Sequence, residues 1–188
     1  MARAGLTADR LAGAAAELAD EVGFENVSLS ALARRFGVKD ASLYSHVRGS
    51  DDLRAGLAAL ALGELADRGH RALAGRSGRD ALVALANAHR DYAREHPGRF
   101  EAAGALDVPL TPDLAPAAAR VADLSVAVLR GYPVPEADHV HAVRLVASLL
   151  RGFIELETGG VFAHRDPSSD ESWARVLDTL DRTLNDWR

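Results

Sequence analysis

Apolar residues along this chain recur at intervals of three and four and almost nowhere alternate with polar ones, so the pattern predicts helices rather than strands. Thr7 caps a first helix whose Leu11, Ala14, Ala15, Leu18, Ala19 and Val22 share one face, and Gly23 stops it. Ser28 caps a short second helix through Leu32 and Phe36, ended by Gly37. After Val38 a third short helix is expected over Asp40 to His46, broken at Gly49. Ser50, Asp51 and Asp52 then open a long helix to about Leu73, because acidic side chains favour the positive end of the helix dipole.

The rest of the chain reads as a helical bundle. Gly75 to Gly78 is a loop, Asp80 to His96 a helix stopped by Pro97-Gly98, and Arg99 to Ala105 a short helix. Asp107 to Pro112 is irregular, and Pro116 to Leu129 is a helix closed by Gly131-Tyr-Pro-Val-Pro135. A long helix follows from Glu136 to about Thr158, then a Gly159-Gly160 break, a polar loop over Arg165 to Ser169, and a last helix from Asp170 to Trp187. Alanine is abundant and Ile154 is the single isoleucine, so propensity agrees with periodicity. The expectation is an all-α fold of about nine helices, with an N-terminal three-helix domain over 1–50 and a larger helical domain over 51–188.

Residues 28 to 48 are two short helices joined at Gly37-Val38, the shape of a helix-turn-helix. Gly37 supplies the positive φ of the turn, Ala33 permits close approach, and Val38, Leu43 and Val47 face Leu32 and Phe36. That leaves Lys39, Asp40, Ser42, Tyr44, Ser45 and His46 on the opposite surface, where a recognition helix meets bases and phosphates. Ordinary helical packing accounts for the same spacing. Asp40 either accepts from a cytosine amino group or caps the third helix, and the sequence slightly favours the cap.

A wider pattern separates these readings. Glu21-Val-Gly-Phe24, then Val-Ser-Leu-Ser-Ala-Leu-Ala-Arg-Arg-Phe-Gly-Val, then Ala-Ser-Leu-Tyr-Ser-His-Val, then Asp51-Asp-Leu53, closely resembles the DNA-binding domain of TetR-family transcriptional regulators. Tyr92 to Pro97 and Leu150 to Ile154 are loosely similar to the family's ligand domains. The resemblance implies a homodimeric, ligand-responsive regulator, most simply a repressor, each subunit reading half of a near-palindromic double-stranded operator. Carried over position by position, Lys39, Asp40, Ala41, Ser42 and Ser45 match base-facing residues, and Tyr44, His46 and Ser28 match phosphate-contacting ones. Ser50 stands where many members have lysine, so a phosphate there relies on the helix N-terminus and a hydroxyl; Val47 stands where phenylalanine is common. Arg48 completes the expected DNA-binding set through its charge.

The net charge of −5 is at first sight an argument against DNA, but it is unevenly placed. Residues 1–50 carry six basic and six acidic groups, residues 34–48 four basic and one acidic, and residues 51–188 sixteen basic and twenty-one acidic. Affinity for phosphates follows the local balance. The chain has no cysteine, which removes disulfide scaffolds and thiolate metal sites. No run of about 18 apolar residues is present and Met1 to Leu6 lacks a signal-peptide core, so the expectation is a cytoplasmic protein. His139 and His141 fall on different helix faces, His89 and His96 are two turns apart, and no nucleophile elbow or phosphate loop occurs, so neither metal, cofactor nor catalysis is expected.

In the larger domain Leu82, Leu85, His89, Tyr92 and His96 lie on one stripe, which would give an effector pocket apolar walls with a few polar tips. Phe100, Phe153, Phe162 and Trp173 are candidate walls, and ordinary core placement accounts for Tyr92 equally. The helix from Glu136 is apolar over most of its circumference, with a polar stripe of His141, Arg144, Ser148, Arg151 and Glu155 that lines an interface, a solvated face or a cavity. With the last helix it is expected to form an intersubunit four-helix bundle. The competing reading is a helical small-molecule carrier or enzyme that keeps the helix-turn-helix only as packing.

Overall fold

A computed structural model describes residues 6–105, 107–109, 111–164 and 166–188. Met1 to Gly5, Leu106, Leu110 and Arg165 lie outside the described residues, and with them most of the N-terminal hexapeptide and the first residue of the expected polar loop. The described chain is all helical: α1 (Ala8–Val22), α2 (Leu29–Phe36), α3 (Ser50–Leu73), α4 (Gly78–Glu95), α5 (Pro97–Ala103), α6 (Leu114–Leu129), α7 (His139–Thr158) and α8 (Ser169–Asn185). Three single 3-10 turns, Phe24–Asn26, Asp40–Ser42 and Glu136–Asp138, join them.

The start signals act as side-chain caps. Thr7 Oγ1 accepts from the Arg10 amide at 3.2 Å, and Ser28 Oγ accepts from the Ala31 amide at 3.2 Å. Gly37 closes α2 in the left-handed region at φ 64°, where any other residue pays for its Cβ. At α8 a reciprocal capping box between Ser168 and Glu171 starts the helix, a signal present in Ser-Ser-Asp-Glu that periodicity alone did not single out.

The third helix differs from expectation. Asp40–Ser42 winds as a single 3-10 turn, with Ser42 N to Lys39 O at 2.8 Å and Leu43 N to Asp40 O at 2.9 Å, and turns continue it to His46. The segment is too short to repay helix nucleation, and Ser45 spends its hydroxyl on the Ser42 carbonyl at 2.9 Å.

The chain packs as two compact units. The first holds residues up to Glu64 together with Glu95–Ala119. Its core is Leu11, Ala15, Phe24, Leu32, Leu43, Leu53 and Leu57, closed by Ala102 of α5. α5 lies directly on α1: a Cβ added at Gly98 would stand 2.0 Å from the Ala19 carbonyl oxygen, so only glycine permits the approach. Polar ties flank that contact. Asp20 takes the Arg99 amide at 3.0 Å, the Arg99 guanidinium at 2.9 Å and His96 Nδ1 at 3.1 Å, while Glu101 accepts the Phe24 amide at 3.1 Å.

The second unit holds Leu65–Arg94 and Arg120–Arg188. Leu82, Leu85, Leu124, Leu129, Ile154 and Leu180 are fully buried there. Gly69 of α3 lets Leu85 of α4 and Leu124 of α6 meet over its backbone, and Trp173 Nε1 of α8 donates to Asn87 Oδ1 of α4 at 2.8 Å. No helix among the described residues is long and apolar enough to cross a membrane.

Candidate nucleic-acid interface

Leu43 and Val47, 0% and 7% exposed, anchor the turn after α2 in the core of the first unit. That anchoring fixes which side chains face outward. Lys39, Asp40, Ala41, Ser42, Tyr44 and Ser45 are exposed, Tyr44 at 58%, and His46 is half-buried at the edge. An exposed tyrosine between two core residues presents a ring and a hydroxyl at no gain in burial, which fits contact with an external partner.

Three of the flanking polar groups, Ser28, Asp40 and Arg48, have structural ties that limit or direct what they offer. Ser28 is half-buried and its oxygen caps α2, so its remaining function is as an O–H donor. The Asp40 carboxylate does not cap its own turn; Oδ2 accepts from Ser30 Oγ of α2 at 2.5 Å. Arg48 donates from Nη2 and from its backbone amide to Asp52, both at 3.0 Å. Those two bonds, the backbone one first, hold the Asp52 carboxyl below its usual range. The Arg48 side chain stays 87% exposed, so most of its donors face solvent. Ser50 opens α3 at the rim of an open cleft of about 390 Å³ lined by Arg48 to Asp52, Pro109 and Thr111. Asp51 at the same rim opposes an anion there.

The local charge surplus is smaller in space than along the chain. Arg35 turns back to α1, bonding Glu21 at 2.8 and 2.9 Å and Glu17 at 2.9 Å, and these carboxylates raise its already high pKa. Arg34 forms no ion pair among the described residues, nor does Lys39. Arg34 stands one helical turn after Ser30, on the stripe that adjoins Asp40. Sequence reading missed it because adjacent arginines look alike until α1 claims one of them.

The six candidate effector residues fall into two groups. His96 and Phe100 belong to the first unit, where His96 meets Asp20 and Phe100 is 5% exposed. His89, Tyr92, Phe153 and Trp173 belong to the second. His89 Nδ1 lies 2.9 Å from the Leu85 carbonyl, and burial lowers its pKa, so the imidazole is neutral there and donates that hydrogen bond. Tyr92 is 3% exposed, with the Arg68 guanidinium 5.7 Å from its ring centre. Phe153 packs in tilted contact, with ring centroids 5.0 Å apart, against both Phe162 and Trp173.

These aromatics surround a charge cluster that the sequence reading passed over. Arg90, 5% exposed, lies 5.1 Å above Trp173 and 5.8 Å from Phe153. It donates to both carboxylate oxygens of Glu157, through Nε at 2.8 Å and Nη2, and Nη2 also meets Asp170 at 2.8 Å. Arg94 pairs with the same two carboxylates at 3.0 Å each. The guanidinium of Arg90 above all holds the Glu157 carboxyl down at about 2. One signal existed: Arg90 is in phase with Leu82 and Ala86 on the buried stripe of α4, a cation where a core residue belongs.

Residues 11–57 match the family model for bacterial regulatory proteins of the tetR family, and residues 82–180 match that for the tetracyclin repressor-like C-terminal domain. The chain is 36% identical over 154 residues to YobS of Bacillus subtilis (strain 168), an uncharacterized HTH-type transcriptional regulator, covering 82% of this chain and 80% of that protein. Among solved structures, the TetR family transcriptional regulator PfmR of Thermus thermophilus superposes with a TM-score of 0.68 at 26% identity, over 94% of this chain and 96% of that one. A protein of unknown function from Rhodococcus sp. RHA1 shares the fold at 23% identity, with a TM-score of 0.78 over 97% and 98% of the two chains.

Proposed function

This chain belongs to the TetR family of transcriptional regulators, and on that premise we propose that it is a ligand-responsive repressor that binds a near-palindromic operator as a homodimer. The observation that carries the reading is the outward face of the turn Lys39 to His46, anchored by buried Leu43 and Val47 and led by a Tyr44 that is 58% exposed. A carrier or an enzyme has no use for that face. Lys39, Asp40, Ala41, Ser42 and Ser45 meet base edges; Ser28, Tyr44, His46, Arg48 and the α3 start at Ser50 hold phosphates. The functional division falls at residue 50, and the protein works in the cytoplasm beside its DNA.

The effector pocket draws on Tyr92, Phe153 and Trp173 for walls and on neutral His89 for a directed hydrogen bond. His96 and Phe100 lie in the first unit, where His96 meets Asp20 and α5 packs on α1. Dimerisation through α7 and α8 is supported by Val140 and Leu156, large apolar side chains exposed at 58% and 47% on α7, whose buried residues are Ala142, Val146, Leu150 and Ile154.

The test is retention on duplex DNA across a salt gradient, first on genomic fragments and then on the selected operator. Expected is release at elevated salt, shifted to much lower salt by Tyr44→Ala or Lys39→Ala. Release at very low salt, unchanged by either substitution, overturns the regulator reading.

A further inference from the structure

Asp40 is the single acidic residue in the stretch Lys39 to His46, and its side chain is exposed. A carboxylate brought against a duplex is repelled by the phosphates unless it meets a hydrogen-bond donor. The major groove offers such donors only at the exocyclic amines of cytosine and adenine. Where the side chain is held therefore matters. Ser30 Oγ donates to Oδ2 at 2.5 Å from the neighbouring helix α2, fixing the carboxylate against α2 and leaving Oδ1 to accept.

The two amines are not equivalent partners. Adenine sets its N7 acceptor beside N6, and that lone pair opposes a carboxylate; cytosine flanks N4 with an apolar C5–H. We infer that the Ser30–Asp40 pair reads a cytosine in the major groove of each operator half-site, Asp40 making the contact and Ser30 acting as its positioning residue. The inference rests on the DNA-binding reading above and deepens it to one base. It also gives a function to an acid that costs affinity for phosphates: discrimination between bases.

The experiment selects duplexes with a randomised half-site for the wild-type chain, Asp40→Ala, Asp40→Asn, Ser30→Ala and Ser30→Thr, then measures competition at one fixed salt concentration. Both residues lie on the surface, and thermal melting checks that each variant folds. Expected for the wild type is one cytosine whose replacement weakens binding roughly tenfold. Asp40→Ala loses preference at that position alone, and Asp40→Asn moves it to adenine, whose N6 and N7 an amide meets together. Ser30→Ala lowers discrimination several-fold without weakening binding to sites that lack the cytosine, and Ser30→Thr restores it. An unchanged consensus at every position in both Asp40 variants overturns the inference while leaving the regulator reading intact. A wild-type chain that retains no duplex at moderate salt overturns the regulator reading, and this one with it.

Discussion

Glu157 shows how a single residue carries more than its helix position suggests. Its carboxylate takes two hydrogen bonds from buried Arg90 and one from Arg94 at 3.0 Å, which brings its pKa from 4.5 to about 2. A depressed carboxyl stabilises the fold fully above about 4.5, and that stability is lost as pH falls through about 2. Glu157→Gln is expected to cost ~3 kcal/mol at neutral pH, since it leaves the Arg90 guanidinium under-compensated in a buried site. Thermal melting should show the gap between wild type and variant constant from pH 7 to about 5 and shrinking below it. A gap that does not depend on pH would show packing, not charge, at work. None of these partners was legible in order along the chain, because Arg90, Glu157 and Asp170 are brought together only by the crossing of three helices. Residues whose role is local were legible: Thr7 and Ser28 cap the helices they precede.

At the scale of elements, the long amphipathic helices were predictable because a buried stripe imposes its period on the sequence. α3 runs Ser50–Leu73 as the acidic start and apolar spacing require. The segment over Asp40–His46 was not, because it is too short to settle as an α-helix and closes mainly through three-residue turns, Ser42 N to Lys39 O, Leu43 N to Asp40 O and His46 N to Leu43 O. The seat of α5 on α1 was likewise invisible: it depends on Gly98 facing the Ala19 carbonyl, a contact between residues far apart in sequence. Gly98→Ala is expected to destabilise by about 1–3 kcal/mol, because the obstructing atoms are backbone and cannot rotate away. Chemical denaturation measures this; a neutral result would mean that α5 lifts from α1 freely. Gly13 has open space around a Cβ and is the control: Gly13→Ala, in the interior of α1, should be neutral or stabilising.

For the whole molecule, the net charge of −5 is a poor guide to its partner, and even the local count needs the structure. Arg35 is spent on Glu17 and Glu21, whereas Arg34 is paired with nothing among the described residues. Arg34→Ala is expected to flatten the slope of log affinity against log salt by about 1 per subunit, and Arg35→Ala to leave it nearly unchanged. Equal effects from the two would place both guanidiniums at the phosphates. Leu156→Glu is expected to shift the protein toward monomers in sedimentation and to weaken operator binding, since half-sites are held tightly only in pairs. A monomer at every concentration in the wild type would overturn the dimer. The sequence by itself determined the helical class, the caps and breaks, and that Leu43 and Val47 face the core, because these depend on spacing within a few turns of chain. Tertiary structure alone decided which cations remain for DNA, which acid Ser30 holds, and how Arg90 and Glu157 pair, because each of these depends on atoms that approach only after helices distant in sequence have packed.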